Sequence, residues 1–255
     1  WDFSRDGKAW QQVAVPHDWA ISGPFDKKWD LQMVAIEQNG ETEKTEKSGR
    51  SGALPWIGEG MYKMNWTAPK GYKRAVLVFD GAMSQPVVSV NGKEAGRWAY
   101  GYNAFRIDIT PFIQFGKSNL IEVHLNNVEE SSRWYPGGGL YRPVSVELYG
   151  NENFSTWDTF VRTLKADKQE AEVEVNALLE GKTGKSGKTV IALLDEAGKK
   201  VAEQIVTGAN PEIKTTLKVA NPQLWSPESP YLYQVKLTRY EGKKVADVQT
   251  LKTGI

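Results

Sequence analysis

NLIEVHLNN, residues 119–127, has an apolar side chain at every second position, with Ile121, Val123 and Leu125 in one register and Glu122 and His124 in the other. A period of two belongs to an extended strand with one face buried, because successive Cβ atoms point to opposite sides of a sheet. The same alternation appears in AVLVFDG (75–81), PVVSVNG (86–92) and RPVSVELYG (142–150). It resumes in AEVEVNALLEG (171–181), KTVIALLDEAGK (188–199), EIKTTLKVANP (212–222) and YLYQVKLTRY (231–240). Short strands divided by glycine and asparagine turns predict an all-β chain built of sandwiches. Only ITPFIQFG (109–116) offers room for one helical turn.

A change of composition near residue 150 predicts two domains, 1–150 and 151–255. The first is rich in Trp, Tyr and Pro, and the second has more Lys, Glu and Thr in evenly spaced strands. No flexible linker separates them, so a firm junction is expected. GKTGKSGK (181–188) reads as an exposed hairpin loop, since its spacing fails the phosphate-loop pattern and no strand-loop-helix context surrounds it. The polar stretch VAIEQNGETEKTEKSGRSGALPW (34–56) reads as a long excursion from the first sandwich, either a solvated loop or the rim of a ligand site.

Composition narrows the function classes. Of 255 residues 40% are hydrophobic and 25% charged, and the net charge is +1. So balanced a chain has no global field to attract nucleic acid or an anionic membrane, and no run approaches a membrane span. The chain contains no cysteine, which excludes disulfides, thiolate metal sites and a cysteine nucleophile. The two histidines, His17 and His124, are far apart in sequence and no calcium-loop motif occurs, so neither a metal nor a cofactor is expected. His124 reads as a structural residue of its strand. In PHDWA (16–20), His17 and Asp18 read as turn-fixing hydrogen bonders beside a buried Trp19 rather than as a catalytic pair. Ten tryptophans and ten tyrosines exceed what a core needs and suit a carbohydrate or protein contact surface. The chain begins at WDFSRDG without an initiator methionine or a signal peptide, which predicts processing or excision from something longer.

Seven landmarks in order carry a family resemblance. They are VPHDWAISGPF (15–25), GEGMYKMNW (58–66), VSVNGKEAG (88–96), YGYNAFRIDITPFI (100–113), NLIEVHLNN, RWYPGGGLYRPVSVEL (133–148) and LWSPESPYLYQVKL (224–237). Together they resemble the amino-terminal part of family 2 glycoside hydrolases, the β-galactosidases, β-glucuronidases and β-mannosidases. The resemblance implies a galactose-binding-like jelly-roll β-sandwich followed by an immunoglobulin-like β-sandwich. It also implies a TIM-barrel domain beyond the strand that LKTGI (251–255) resembles, and that barrel carries the two catalytic glutamates. Glycosidic cleavage needs two carboxyl groups held roughly 5 to 9.5 Å apart across the scissile bond, so this chain alone is expected to contain no catalytic residue and to hydrolyse no glycoside.

The same resemblance points to a cleft wall. Arg133 stands where the galactosidases and glucuronidases have a sugar-contacting aspartate; it donates up to five hydrogen bonds and suits a uronate or a catalytic carboxylate. Trp134 and Tyr135 offer ring faces to a pyranose, beside three glycines that let the backbone turn. The competing reading of this segment is a sandwich-edge turn packed against another domain. In YGYNAF (100–105), Tyr102 and Asn103 combine ring surface with a donor and an acceptor, and Trp56 is a further candidate; a turn-capping asparagine is the alternative there. The expected partners are the terminal sugar of a glycan and the barrel of the same protein, in a periplasmic or secreted bacterial enzyme. Two other functions stay open, an autonomous carbohydrate-binding module and a structural or protein-interaction pair of sandwiches.

Overall fold

The computed structural model describes residues 1–26, 34–35, 44–45, 56–128, 137–182, 184 and 187–255. The described chain is all-β apart from turns and a 3-10 turn at Thr110–Phe112, which falls inside ITPFIQFG and has Pro111 in its first positions. It divides into two compact units, Trp1–Leu148 and Tyr149–Ile255.

The strands of the first unit are β1 (Asp2–Ser4), β2 (Gln11–Gln12), β3 (Val34–Ala35), β4 (Lys44–Thr45), β5 (Glu59–Thr67), β6 (Arg74–Phe79), β7 (Val87–Val90), β8 (Lys93–Arg97), β9 (Phe105–Asp108), β10 (Ser118–Asn126) and β11 (Val144–Tyr149). A six-stranded sheet runs β2-β1-β5-β10-β7-β8 and a three-stranded sheet runs β11-β6-β9, while β3 and β4 pair only with each other. Strand β10 pairs with β5 from Ser118↔Thr67 to Asn126↔Glu59 and so forms the centre of the larger sheet. Its alternation is expressed as read: Ile121, Val123 and Leu125 are buried, whereas Glu122 and His124 lie on the other face, where His124 Nε2 meets Glu59 Oε2 at 3.1 Å. The inward residues of both sheets form one core, with Ile121, Val123 and Leu125 from the larger sheet and Ala75, Leu77, Phe79, Phe105 and Ile107 from the smaller.

The second unit contains β12 (Glu152–Phe154), β13 (Phe160–Ala166), β14 (Glu170–Gly181), β15 (Gly187–Leu194), β16 (Lys200–Thr207), β17 (Glu212–Ala220), β18 (Tyr233–Glu241) and β19 (Lys244–Thr253). β12, β13 and β17 all pair with β14, and the facing sheet runs β16-β15-β18-β19. The core is a strict period-two interdigitation: Ala171, Val173, Val175, Ala177 and Leu179 of β14 against Ile191 and Leu193 of β15 and Tyr233, Val235 and Leu237 of β18. Tyr231 packs edge-on against Tyr233, 4.9 Å between ring centroids, as core rather than as a site.

The inward rows of β15 and β18 end in polar residues. Arg239 continues the Tyr233-Val235-Leu237 row, is buried, and donates from Nε to Glu152 Oε2 at 2.7 Å, from Nη1 to Thr189 Oγ1 at 3.3 Å and from Nη2 to the Gly208 carbonyl at 3.3 Å. In the reading of 181–188 as an exposed hairpin loop, the exposure holds at Gly181 and Lys182 and the hairpin is corrected. β14 and β15 belong to different sheets, so the segment crosses between them, and at its end Gly187 is buried against the guanidinium. A Cβ on Gly187 would lie 1.9 Å from Arg239 Nη2, so only glycine fits.

Candidate functional site

Local chemistry at the PHDWA turn is that of a structural cluster. Asp18 Oδ1 accepts from the Ala20 amide at 3.0 Å, which fixes the turn. His17 Nδ1 shares a 2.8 Å hydrogen bond with the Tyr62 hydroxyl, and Trp19 is fully buried with its ring 5.6 Å from Phe3 and 6.4 Å from Tyr62. Burial holds the His17 ring below its ordinary pKa, with Asp18 opposing and Arg5 assisting, so at neutral pH it is an uncharged hydrogen bonder. Burial likewise pushes the Tyr62 phenol far up. These groups hold each other in place and are unsuited to exchanging protons with a ligand.

The segment 137–142 ties this cluster to the other motifs. The His17 amide donates to the Leu140 carbonyl at 2.7 Å and the Trp19 amide to the Gly138 carbonyl at 3.2 Å. Gly139 exchanges backbone hydrogen bonds with Met83 at 2.8 and 3.0 Å. Then the Tyr141 hydroxyl donates to the Gly101 carbonyl at 2.9 Å, and Arg142 Nη1 donates to the carbonyls of Tyr102 at 2.9 Å and Asp80 at 3.2 Å. The glycines are required by close approach: a Cβ on Gly138 would lie 2.4 Å from Trp19 Nε1, and one on Gly139, at φ +89°, would lie 2.3 Å from the Tyr62 hydroxyl and 2.8 Å from the His17 carbonyl.

Of the sequence-predicted site residues, Arg133, Trp134 and Tyr135 lie outside the described residues. Tyr102 and Asn103 come together on the surface with two residues the sequence reading passed over, Trp98 and Tyr100. Trp98 Nε1 donates to Asn103 Oδ1 at 2.9 Å, and the Tyr100 and Tyr102 rings are 5.6 Å apart. The three rings are 39%, 59% and 38% exposed in chain order. A signal was available, because Trp98, Tyr100 and Tyr102 occupy alternate positions of WAYGY, the spacing that lines one side of an extended segment. Trp56 belongs to the other cluster: it packs on Trp19 at 5.4 Å, and the Arg5 guanidinium stands over its ring at 4.8 Å while donating to the Trp19 carbonyl at 3.1 Å and to the Gly23 carbonyl. Arg5 is a third residue the sequence reading missed.

The arrangement therefore presents aromatic faces, amide and hydroxyl groups on turns held by the Tyr141 and Arg142 side chains. Among the described residues no group of His, Asp and Glu side chains is gathered to hold a metal ion.

Residues 155–255 match the family model for glycosyl hydrolases family 2. A Formosa agariphila protein bearing a β-glucuronidase name is 33% identical over 99% of this chain and 23% of its own length. β-Galactosidase BoGH2A of Bacteroides ovatus is 31% identical over 96% of this chain and 28% of its own length. The chain thus spans about a quarter of the length of these curated relatives. A crystal structure of a glycosyl hydrolase family 2 member from Bacteroides cellulosilyticus superposes over the whole chain and 34% of its own, with a TM-score of 0.80 at 31% identity. By its family match, by these identities and by its fold, the chain belongs to the glycoside hydrolases of family 2, as the counterpart of their amino-terminal region.

Proposed function

We propose that the chain is the non-catalytic amino-terminal portion of a β-galactosidase-like glycoside hydrolase, lending part of the cleft wall for a terminal sugar and supporting a TIM barrel that performs the cleavage. The observation that carries this reading is the segment 137–142, whose backbone binds PHDWA on one side and whose Tyr141 and Arg142 side chains bind the carbonyls of YGYN on the other. It gives the segment that continues back into Tyr135, Trp134 and Arg133 a rigid base, as a wall residue needs if it is to meet a sugar at fixed distance. The parent substrate in this reading is a galactoside, with Arg133 keeping a uronate open through its capacity for bidentate pairing with a carboxylate. Its place of action is periplasmic or secreted.

Two assays test the reading. The purified 255-residue chain releases no nitrophenol from p-nitrophenyl β-galactoside, because hydrolysis needs a carboxyl pair at defined separation. The whole protein cleaves a β-galactoside in preference to a glucuronide or mannoside, and Arg133→Ala in it raises KM or lowers kcat without unfolding it. Turnover by the short chain, or a whole protein indifferent to Arg133, refutes the assignment.

A further inference from the structure

The two outer faces of the second unit differ in what they leave unanswered. On the sheet of β13, β14 and β17 the charges meet one another: Glu174 lies 2.8 Å from Arg162 and 3.5 Å from Lys214, Glu172 lies 3.7 Å from Lys218, and Lys165 donates to Glu170. That face largely neutralises itself. On the sheet β16-β15-β18-β19 the strand register fixes which residues point out. Ile205 pairs with Val190, Val190 with Thr238 and Thr238 with Val248, so these four form one row across all four strands, since opposite residues of an antiparallel pair share a face. Their chain neighbours Thr189, Ile191, Leu237 and Arg239 are buried, which places the row on the outside. Ile205 is 52% and Val248 45% exposed, and Ala192 and Leu194 continue the apolar surface along β15. A solvated sheet face is expected to be polar there.

Lysines flank this surface. Lys188 precedes Val190 in the outward set of β15, Lys236 pairs with Ala192, and Lys252 lies one strand beyond Leu194, opposite Gln234. Lys188 stands over the Tyr240 ring at 4.9 Å, and among the described residues none of the three forms an ion pair. Glu203, on the same face, is already taken by Lys200 at 2.8 Å. A partner for this face must therefore bring negative charge and apolar side chains together. The row is aliphatic and the Tyr240 ring beside it is covered by Lys188, so no free ring face is offered to a pyranose and the partner is a protein. β15 and β18 are paired on both sides, which leaves no backbone group for an extended segment laid over them. A helix satisfies its own backbone and needs only side chains from its host. The outward column from Val190 to Leu194 spans about 13 Å, room for about two and a half helical turns.

We infer that this outer face docks an acidic amphipathic helix of a partner protein, its apolar stripe on Val190, Ala192, Ile205 and Val248 and its carboxylates on the flanking lysines. The surface belongs to the second unit alone and does not depend on the glycosidase reading. The probe is a labelled synthetic peptide of about 18 residues made of Leu, Ala and Glu, with the leucines at helical spacing, titrated with the 255-residue chain and followed by fluorescence anisotropy. It binds at low salt with a dissociation constant of about 100 μM or tighter, and the same peptide with Lys in place of Glu does not. Affinity falls at least about tenfold when Lys236→Glu and Lys252→Glu are combined, and severalfold in about 0.5 M salt. Ile205→Ser, at an exposed position whose change leaves the core intact, weakens binding as well. Lys218→Glu, on the opposite outer face, leaves it unchanged, and the whole protein binds the peptide as the 255-residue chain does. Absence of binding, affinity that survives the paired lysine substitutions, or an equal loss in Lys218→Glu overturns the inference. So does a whole protein that no longer binds, its other domains then covering the face, or a dimer of the chain that Ile205→Ser dissolves, a second copy then being the occupant.

Discussion

The two units solve the same problem, filling the space between two sheets, with different side chains. The first uses rings: Phe3, Trp19, Tyr62, Phe79 and Phe105 are among its buried residues. The second uses mainly Val, Leu, Ile and Ala in ordered rows and places an ion pair, Glu152 with Arg239, inside. Aliphatic rows fit a pleat with little demand on the turns, because each residue simply points in or out. Large flat rings fit only where the backbone is brought close to them, which is why Gly138 and Gly139 lie against Trp19 and Tyr62. The lesson is that the ring-filled unit carries a stack from its core to the partly exposed Trp98, whereas the aliphatic unit keeps its ion pair buried as structure.

The largest expected effect would break the comparison on the side of the second unit. Glu152→Ala leaves the Arg239 guanidinium in the interior without its counter-ion, and the expected loss is about 3–5 kcal/mol of stability in urea unfolding. Replacing both partners together, Glu152→Leu with Arg239→Met, recovers much of that loss, since the cost of drying two charges disappears along with their attraction. A single variant no less stable than the wild type would mean that water reaches the pair and that this core is not dry.

On the first unit the test is Tyr62→Phe. The hydroxyl meets His17 Nδ1 at 2.8 Å and the Leu140 amide at 3.4 Å, and its removal strands both, for a cost of about 1–3 kcal/mol. A pH signature accompanies it. The folded state holds His17 below its ordinary value of 6.5, so between the two values the unfolded chain binds the extra proton. Stability from this group is complete above pH 6.5 and is lost as pH falls toward the folded value. Unfolding followed from pH 8 to pH 5 should show this decline in the wild type, and His17→Asn should flatten it.

Strand alternation was the most legible feature of the sequence. All eight strands read from it exist, among them β10 and β14, because a half-buried strand writes its burial directly into residue order. Strands β5, β13, β16 and β19 were not read from alternation, since partly exposed strands such as β13 and β16 show both faces to water and lose the pattern. The PHDWA turn was legible from residue type, and its hydrogen bonds at Asp18 and His17 are those expected. Less legible was anything set by distant partners. The position of Arg239 in an inward row was visible as a broken alternation, but its partner Glu152 lies 87 residues away, and no local rule joins them. The Trp98 stack was hidden for the same reason: Phe79 and Phe105 become its base only when β6 and β9 pair, at Phe79↔Phe105.

The smallest effect sharpens the comparison by holding chemistry constant and changing depth. Lys165 and Glu170 form an ion pair in the second unit, as Arg239 and Glu152 do, but their side chains are 56% and 57% exposed. Water already solvates both charges, so bringing them together gains little and ordering two flexible side chains costs about as much. The hydrogen bond that Lys165 Nζ donates to Glu170 raises the Lys165 pKa above 10.5, so any stabilisation it brings is present at neutral pH and fades only as pH rises through that raised value. Glu170→Gln is therefore expected to lower the Lys165 pKa in an NMR titration while leaving the urea midpoint at pH 7 where it was. A midpoint that moved as far as that of Glu152→Ala would show that depth is not what separates the two pairs, and the contrast drawn between a dry core and a wet face would fail with it.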